Sequence, residues 1–242
     1  MAAAFEPTSR ALLSTITGTV ARVLDLGPGP GYSTELLAAT FPDAEIVAVE
    51  RSPTFAEHTR ARVPAARVLV ADATEPLPAA GGRGFDVVYA RLLLSHLPDI
   101  ERTVAHWCGA VGPGGRLALE EPDEIVSDDP LFARYEAIVA AVVAAAGADM
   151  YAGAALAATP TPPGFRRVLD RSVVPRITAG TAAAMFWRNA RAWDASADAV
   201  VSRRERDELI DALQRRVDDP TLDAISWRLR QLVFERVAAA GG

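Results

Sequence analysis

The sequence holds no lysine, and its 25 basic residues are all arginine. That excludes a Schiff-base or general-base lysine and a Walker-type phosphate loop, which needs one. A single cysteine, Cys108, allows no internal disulfide and fits a reducing cytoplasm. Histidine is scarce too: His58, His96 and His106 are scattered, so no metal site is expected. Long apolar runs are missing, and the longest, Ala137 to Ala148, is too short to span a bilayer. It reads as a buried helix, or as a helix face for a second copy of the chain, which leaves a homodimer open. Met1 to Phe5 is small and apolar but has no basic leader and runs into Glu6-Pro7, which argues against a secretory signal. A formal net charge of -6 repels a phosphate backbone, and the arginines interleave with acids, so nucleic acid is not expected as a partner.

What is present is apolar bulk and an ordered set of strand signals. Half of the 242 residues are hydrophobic, enough for one substantial core in a single domain. Arg22 to Leu26 reads as a short apolar strand that runs into three alternate glycines, Gly27, Gly29 and Gly31, and then a helix from Tyr32 to Phe41. Glycines there permit a sharp turn and close approach of a ligand to the backbone, and the helix start offers unpaired N–H groups. A dinucleotide fingerprint requires a further glycine three positions after its second. Tyr32, counted from Gly29, and Thr34, counted from Gly31, occupy those positions, so the register fails. Asp25, two residues before the first glycine, suits a cationic ligand better than a pyrophosphate. Pro30 removes one N–H from the loop.

Further strands are expected at Glu45 to Val49, ending on Glu50; at Ala66 to Val70, before Asp72; at Phe85 to Tyr89; and at Arg116 to Glu120 after the turn Gly112-Pro113-Gly114-Gly115. With helices between them, this alternation implies a parallel sheet with right-handed crossovers. Beyond Pro122 the alternation breaks. Helices are expected at Pro130 to Ala146, Thr181 to Trp193 and Ala199 to Val217, and strands at Arg167 to Ile177 and Ala224 to Val237.

Four elements in order make Arg22 to Pro122 resemble the small-molecule branch of the class I S-adenosylmethionine-dependent methyltransferases. They are Asp-x-Gly-x-Gly-x-Gly at Asp25 to Gly31, an acid ending the second strand (Glu50), an acid ending the third (Asp72), and Pro113-Gly114-Gly115 before the fifth. Ala90 to Asp99 is also similar to that branch's segment after the fourth strand. The resemblance implies an α/β, doubly wound, Rossmann-like fold: a mostly parallel seven-stranded sheet with an antiparallel C-terminal strand and a helical lid. One domain over 1–242 would comprise a cofactor-binding half (20–121), lid and substrate elements (122–165 and 178–222) and the last strands (166–177 and 224–237). The implied cofactor is S-adenosylmethionine, with S-adenosylhomocysteine as product. Asp25, Gly27, Gly29 and Gly31 would hold its methionine part. Glu50, followed by Arg51, would accept both ribose hydroxyls. Asp72 would face the adenine amino group, Ala73 would offer a backbone N–H to the ring, and Ala90 and Arg91 would approach the methionine end.

The implied reaction is methyl transfer to oxygen, nitrogen or carbon of a small organic molecule, in biosynthetic metabolism. A base helps only where the acceptor must lose a proton, and then by about 10²–10⁴ in rate. His96 is the candidate base, because it follows a strand end that would face the cofactor; packing against the sheet is its alternative role. Glu121, beside Glu120 and Asp123, could act as a base or bind a cationic acceptor. Tyr135, Tyr151, Trp187 and Arg188 would wall the substrate pocket. The aromatics read equally as core, and Arg188 with Arg191 as a solvated helix face. Two other readings keep the cofactor but not the transfer: another reaction such as a cyclisation, and a non-catalytic binding module.

Overall fold

A computed structural model describes residues 2–78, 82–193, 195–222 and 224–237. At its centre is β1 (Arg22–Leu26), whose last four residues are buried. Leu24 and Leu26 pack on one face and Val23 on the other, the period-two pattern of a strand covered on both sides. With β2 (Glu45–Glu50), β3 (Arg67–Val70), β4 (Phe85–Arg91), β5 (Val111–Val126), β6 (Phe165–Val173) and β7 (Ser226–Arg236), it forms a seven-stranded sheet in the order β3-β2-β1-β4-β5-β7-β6. The first five strands pair in parallel, and β7 runs antiparallel between β5 and β6. The α/β sheet is therefore of the expected kind.

On one face lie α1 (Ala2–Leu13) and α2 (Tyr32–Thr40), which press Leu12, Leu13, Leu36 and Leu37 onto Val23, Val87, Tyr89 and Val233. Beside them α3 (Pro53–Arg62) sets Ala56 on Ala48 and Val68. The opposite face is covered by α4 (Ile100–Cys108), whose Trp107 packs with Leu24, Val88 and Leu117. Burial of each such side chain contributes about 1.5–3 kcal/mol.

A second apolar cluster grows from the far ends of β5 and β7. There α5 (Pro130–Ala145), α6 (Ala152–Ala158), α7 (Ala179–Ala192) and α8 (Arg203–Gln214) follow in the chain. Phe132, Tyr135, Phe186 and Leu209 surround Ile125, Trp227 and Leu229. Leu156 of α6 belongs instead to the core under α4. From α1, Phe5 reaches the second cluster and meets Trp227 edge-on with ring centroids 5.1 Å apart.

Several boundaries depart from expectation. The N-terminal helix α1 is not foreseen from the sequence, where Pro7 interrupts the pattern. β5 starts at Val111 and takes in the Pro-Gly-Gly segment as a bulge, four residues of β5 (112–115) facing one of β4 (Asp86) between the Phe85–Val111 and Val87–Arg116 pairs. It also continues to Val126, so 122–126 belongs to the sheet. β6 stops at Val173, and Thr178 caps α7 by accepting the Thr181 N–H at 3.1 Å. α8 begins only at Arg203, where Ser202 and Glu205 form a reciprocal capping box.

Candidate functional site

Register places the three expected acids along one edge. Asp25 is level with Ala48 on β2, and Glu50 with Val70 on β3. Each successive acid, from Asp25 to Glu50 to Asp72, therefore stands two residues further toward the carboxyl side. The strand order reverses between β1 and β4, the point where open α/β sheets take their ligands.

Glu50 clips the glycine loop in place. Its Oε2 accepts the Gly29 N–H at 2.9 Å and its Oε1 the Ser52 N–H at 2.8 Å. From α3, the Thr59 hydroxyl donates to the Gly29 carbonyl at 2.9 Å. Gly31 caps α2 at φ 86°, and a Cβ there would lie 2.8 Å from the Thr59 Cα, so only glycine fits. Gly29, at φ 56°, differs: nothing lies within 4 Å of where its Cβ would stand. A ligand therefore has room to meet the backbone beside Gly29. Gly27 ties the loop to β2 by donating its N–H to the Val49 carbonyl at 2.9 Å.

Asp25 is buried, and its Oδ2 accepts from the Ser33 and Thr34 hydroxyls at 2.9 and 2.7 Å. Its Oδ1 has no partner among the described residues, a lack worth about 1–3 kcal/mol. Burial pushes its pKa up to about 6, opposed by those two hydroxyls and by the Arg91 charge. Asp72 is held below its ordinary value, first by Thr74, whose hydroxyl and N–H donate to Oδ1 at 2.7 and 2.9 Å, and also by Arg51, 3.8 Å from Oδ2. The Trp107 indole donates to the Ala73 carbonyl at 2.9 Å and so fixes that turn to α4. His96 lies on the short 3-10 turn Leu94–His96 after β4. Its ring is exposed, yet the protein packed around it and the Arg51 guanidinium lower its pKa, which favours the neutral form.

Beyond Ala90, which is buried, a polar row crosses four strands in register: Arg91 on β4, Glu120 on β5, Gln231 on β7 and Arg171 on β6. Ser9 of α1 donates to Glu120 Oε1 at 2.6 Å, and the Gln231 amide donates to Oε2. Gln231 also donates to the Thr8 carbonyl at 2.9 Å and accepts from Arg171 Nε at 2.8 Å. Arg91 donates to the Ser9 hydroxyl at 3.1 Å. Burial raises the Glu120 pKa against the pull of Ser9, Gln231 and the two arginines. Sequence reasoning missed Ser9, Gln231 and Arg171. The available signal was a glutamine in the apolar phase of β7, where Trp227, Leu229 and Val233 hold the alternate positions.

Glu121 turns to the opposite side of β5. Its Oε1 accepts the Leu93 and Leu94 N–H groups, each at 2.8 Å, and its Oε2 the Ser95 N–H at 3.4 Å. Burial pushes its pKa up to about 7, with the backbone bonds opposing. The expectation of a free base at Glu121 is corrected accordingly: both oxygens hold the backbone after β4, where Leu92 adopts the left-handed φ of 55°. Of the expected pocket wall, Tyr135 is buried and stacked on Phe186 at 3.9 Å between centroids. Trp187 is half-buried with the Arg191 guanidinium 4.7 Å above its ring, and the Tyr151 hydroxyl donates to Glu136. Arg188 leaves this group, because it is exposed on the outer side of α7.

The family described as a methyltransferase domain matches residues 24–119, the stretch that holds the glycine loop and the acid row. The chain contains a class I S-adenosylmethionine-dependent methyltransferase domain. Trans-aconitate 2-methyltransferase from Methylobacterium radiotolerans is 38% identical over 130 residues, 54% of this chain and 49% of that protein. The chain thus spans about half the length of the curated relatives it matches. Two solved structures share the methyltransferase fold. A candidate methyltransferase from Bacillus halodurans has a TM-score of 0.59 at 14% identity, covering 96% of this chain and 100% of that one. Phosphoethanolamine N-methyltransferase 2 from Haemonchus contortus, solved with phosphomonomethylethanolamine and S-adenosylhomocysteine, has a TM-score of 0.54 at 17% identity, covering 96% and 52%.

Proposed function

We propose that the protein transfers the methyl group of S-adenosylmethionine to a small organic molecule. The observation that carries this reading is the Glu50 carboxylate clipped to the glycine loop, with Asp25 and Asp72 flanking it on the same sheet edge. Each Glu50 oxygen accepts one backbone N–H and retains a second lone pair, which suits a ribose diol. Asp25, with one buried oxygen unpartnered, would accept from the ligand's ammonium group. Asp72 and Ala73 would border the adenine, and Ala90 the methionine end. Bound there, the cofactor supplies a methyl carbon on a sulfonium, open to in-line displacement.

The chain's own part is orientation, which supplies about 7–11 kcal/mol when both reactants are held in line. Glu121 shapes the loop after β4, and the aromatic cluster around Tyr135, Tyr151 and Trp187 covers the acceptor side. His96, neutral near pH 7, serves as base where the acceptor carries a proton. The relative from Methylobacterium radiotolerans is named for trans-aconitate, and a small organic acid is the first acceptor class to test. An acid arrives already deprotonated, which suits a site whose buried carboxylates are committed to other partners. The setting proposed is biosynthetic metabolism in a reducing cytoplasm, where the buried Cys108, its pKa pushed up to about 12, stays a thiol.

Calorimetry with S-adenosylmethionine and S-adenosylhomocysteine, followed by an assay of S-adenosylhomocysteine release over small acids, amines and phenols, tests the reading. Binding of both ligands and turnover of at least one acceptor class are expected. A folded protein that binds neither ligand overturns it.

A further inference from the structure

We propose that the Arg91 guanidinium anchors a carboxylate of the acceptor in the cavity between α1 and α2. This deepens the methyl-transfer reading and rests on it for the word acceptor. The cavity measures about 280 Å3 and is lined by Glu6 and Arg10 from α1, Tyr32 and Glu35 from α2, and Arg91. It adjoins the glycine loop: Tyr32 follows Gly31 directly, and Arg91 follows Ala90, which is level with Leu26 just before Gly27.

Charge accounting singles out Arg91. Glu6 is paired with Arg10 at 2.7 Å, and Glu35 with Arg62 at 3.2 Å. Arg91 is the charged lining residue that has no ion pair among the described residues; its hydrogen bond goes to a neutral hydroxyl, Ser9, at 3.1 Å. The acid beside it in register, Glu120, has one oxygen taken by Ser9 and the other by Gln231. Asp25 spends one oxygen on Ser33 and Thr34. The Arg91 charge acts on Asp25 and Glu120 without an ion pair to either, so its half-buried guanidinium, with five N–H donors and one hydrogen bond to Ser9, keeps donors for an incoming anion. A carboxylate matches its planar fork with two parallel bonds.

The polar row also holds that fork ready. Ser9 is fixed by Glu120, Glu120 by Gln231, and Gln231 by Arg171 and the Thr8 carbonyl. Little side-chain freedom is left to lose when an anion binds. The glutamine and second arginine of β7 and β6 thus gain a purpose that the cofactor site alone does not give them.

Calorimetry with trans-aconitate and with its trimethyl ester, on wild type, Arg91→Met, Arg91→Lys and Ser9→Ala, each checked for folding by circular dichroism, tests the anchor without requiring turnover. Arg91→Met is expected to weaken trans-aconitate binding about tenfold or more. Arg91→Lys and Ser9→Ala should weaken it by less. The ester should bind wild type and Arg91→Met alike, and S-adenosylmethionine affinity should stay within about twofold in all four proteins. Undiminished trans-aconitate binding in Arg91→Met, or none to wild type with S-adenosylhomocysteine present, overturns the anchor and leaves methyl transfer standing. A parallel loss of S-adenosylmethionine affinity overturns it in favour of a contact to the cofactor's own carboxylate. Arg91-dependent binding of trans-aconitate by a protein that ignores S-adenosylmethionine sinks the methyl-transfer reading and supports the carboxylate site.

Discussion

The sheet edge from β1 to β3 and the aromatic cluster at the far ends of β5 and β7 are built on opposite rules. On the edge, each charged side chain is matched to particular backbone or hydroxyl groups: Glu50 to Gly29 and Ser52, Asp72 to Thr74, Asp25 to Ser33 and Thr34. In the cluster, Phe5, Phe132, Tyr135, Phe186 and Trp227 fit one another by shape. Directional bonds need given residues at given places, whereas packing tolerates exchange of one apolar side chain for another of like volume. The methyltransferase-domain match ends at residue 119, before most of the cluster begins.

Substitutions that separate the two regions should differ most at Glu50. Glu50→Ala strands two backbone N–H groups and removes the acceptor proposed for the ribose. Calorimetry should show S-adenosylmethionine affinity falling by about a hundredfold or more, with about 1–3 kcal/mol lost in denaturant melts. An unchanged affinity would dissolve the distinction between edge and cluster.

Next in size is a contrast within the loop. Gly31→Ala drives a methyl group against the Thr59 backbone at 2.8 Å and should cost about 2 kcal/mol or more, visible as a melting point lower by roughly 4–8 °C. Gly29→Ala meets no atom within 4 Å. It should cost about 1–2 kcal/mol in backbone strain yet weaken S-adenosylmethionine binding more than Gly31→Ala does. Equal binding by both variants would move the ligand away from Gly29.

A smaller effect concerns pH. The carboxyls of Asp25 and Glu121 rise from 3.8 to about 6 and from 4.5 to about 7 on folding. The folded chain binds more protons than the unfolded chain between those limits, so their joint contribution to stability falls as pH rises from about 4 to about 7. Denaturant midpoints measured from pH 5 to pH 8 should decline, and Glu121→Gln should flatten the upper half of the decline. A slope unaltered by that variant would show the Glu121 proton to be uncoupled from folding. Smallest of all, Arg188→Ala on the exposed side of α7 should change stability by less than about 0.5 kcal/mol and leave turnover unchanged; a large loss of turnover would return Arg188 to the pocket wall.

The sequence made the edge readable because strand, glycine and acid recur there at fixed spacing, and register preserves that spacing in space. Strands β1 to β5 were legible for the same reason, as short apolar runs bounded by turn residues. The helix α1 was not, since its role depends on Ser9 and Thr8 meeting Glu120 and Gln231, more than 100 residues away. Local pattern carries no trace of such a partner. Glu121 was noticed as an acid but misjudged, because only the fold shows its oxygens facing the Leu93, Leu94 and Ser95 amides. Arg188 was misjudged in the opposite sense, since helical spacing gives a face but not which way that face turns.

Glu120 and Glu121 are adjacent in the chain and point to opposite sides of β5. The middle of β5 therefore holds the N-terminal helix on one side and the turn after β4 on the other. A small displacement of that segment would shift α1 and the Leu93 to Ser95 backbone in concert, so a change within β5 reaches both neighbours of the sheet edge at once.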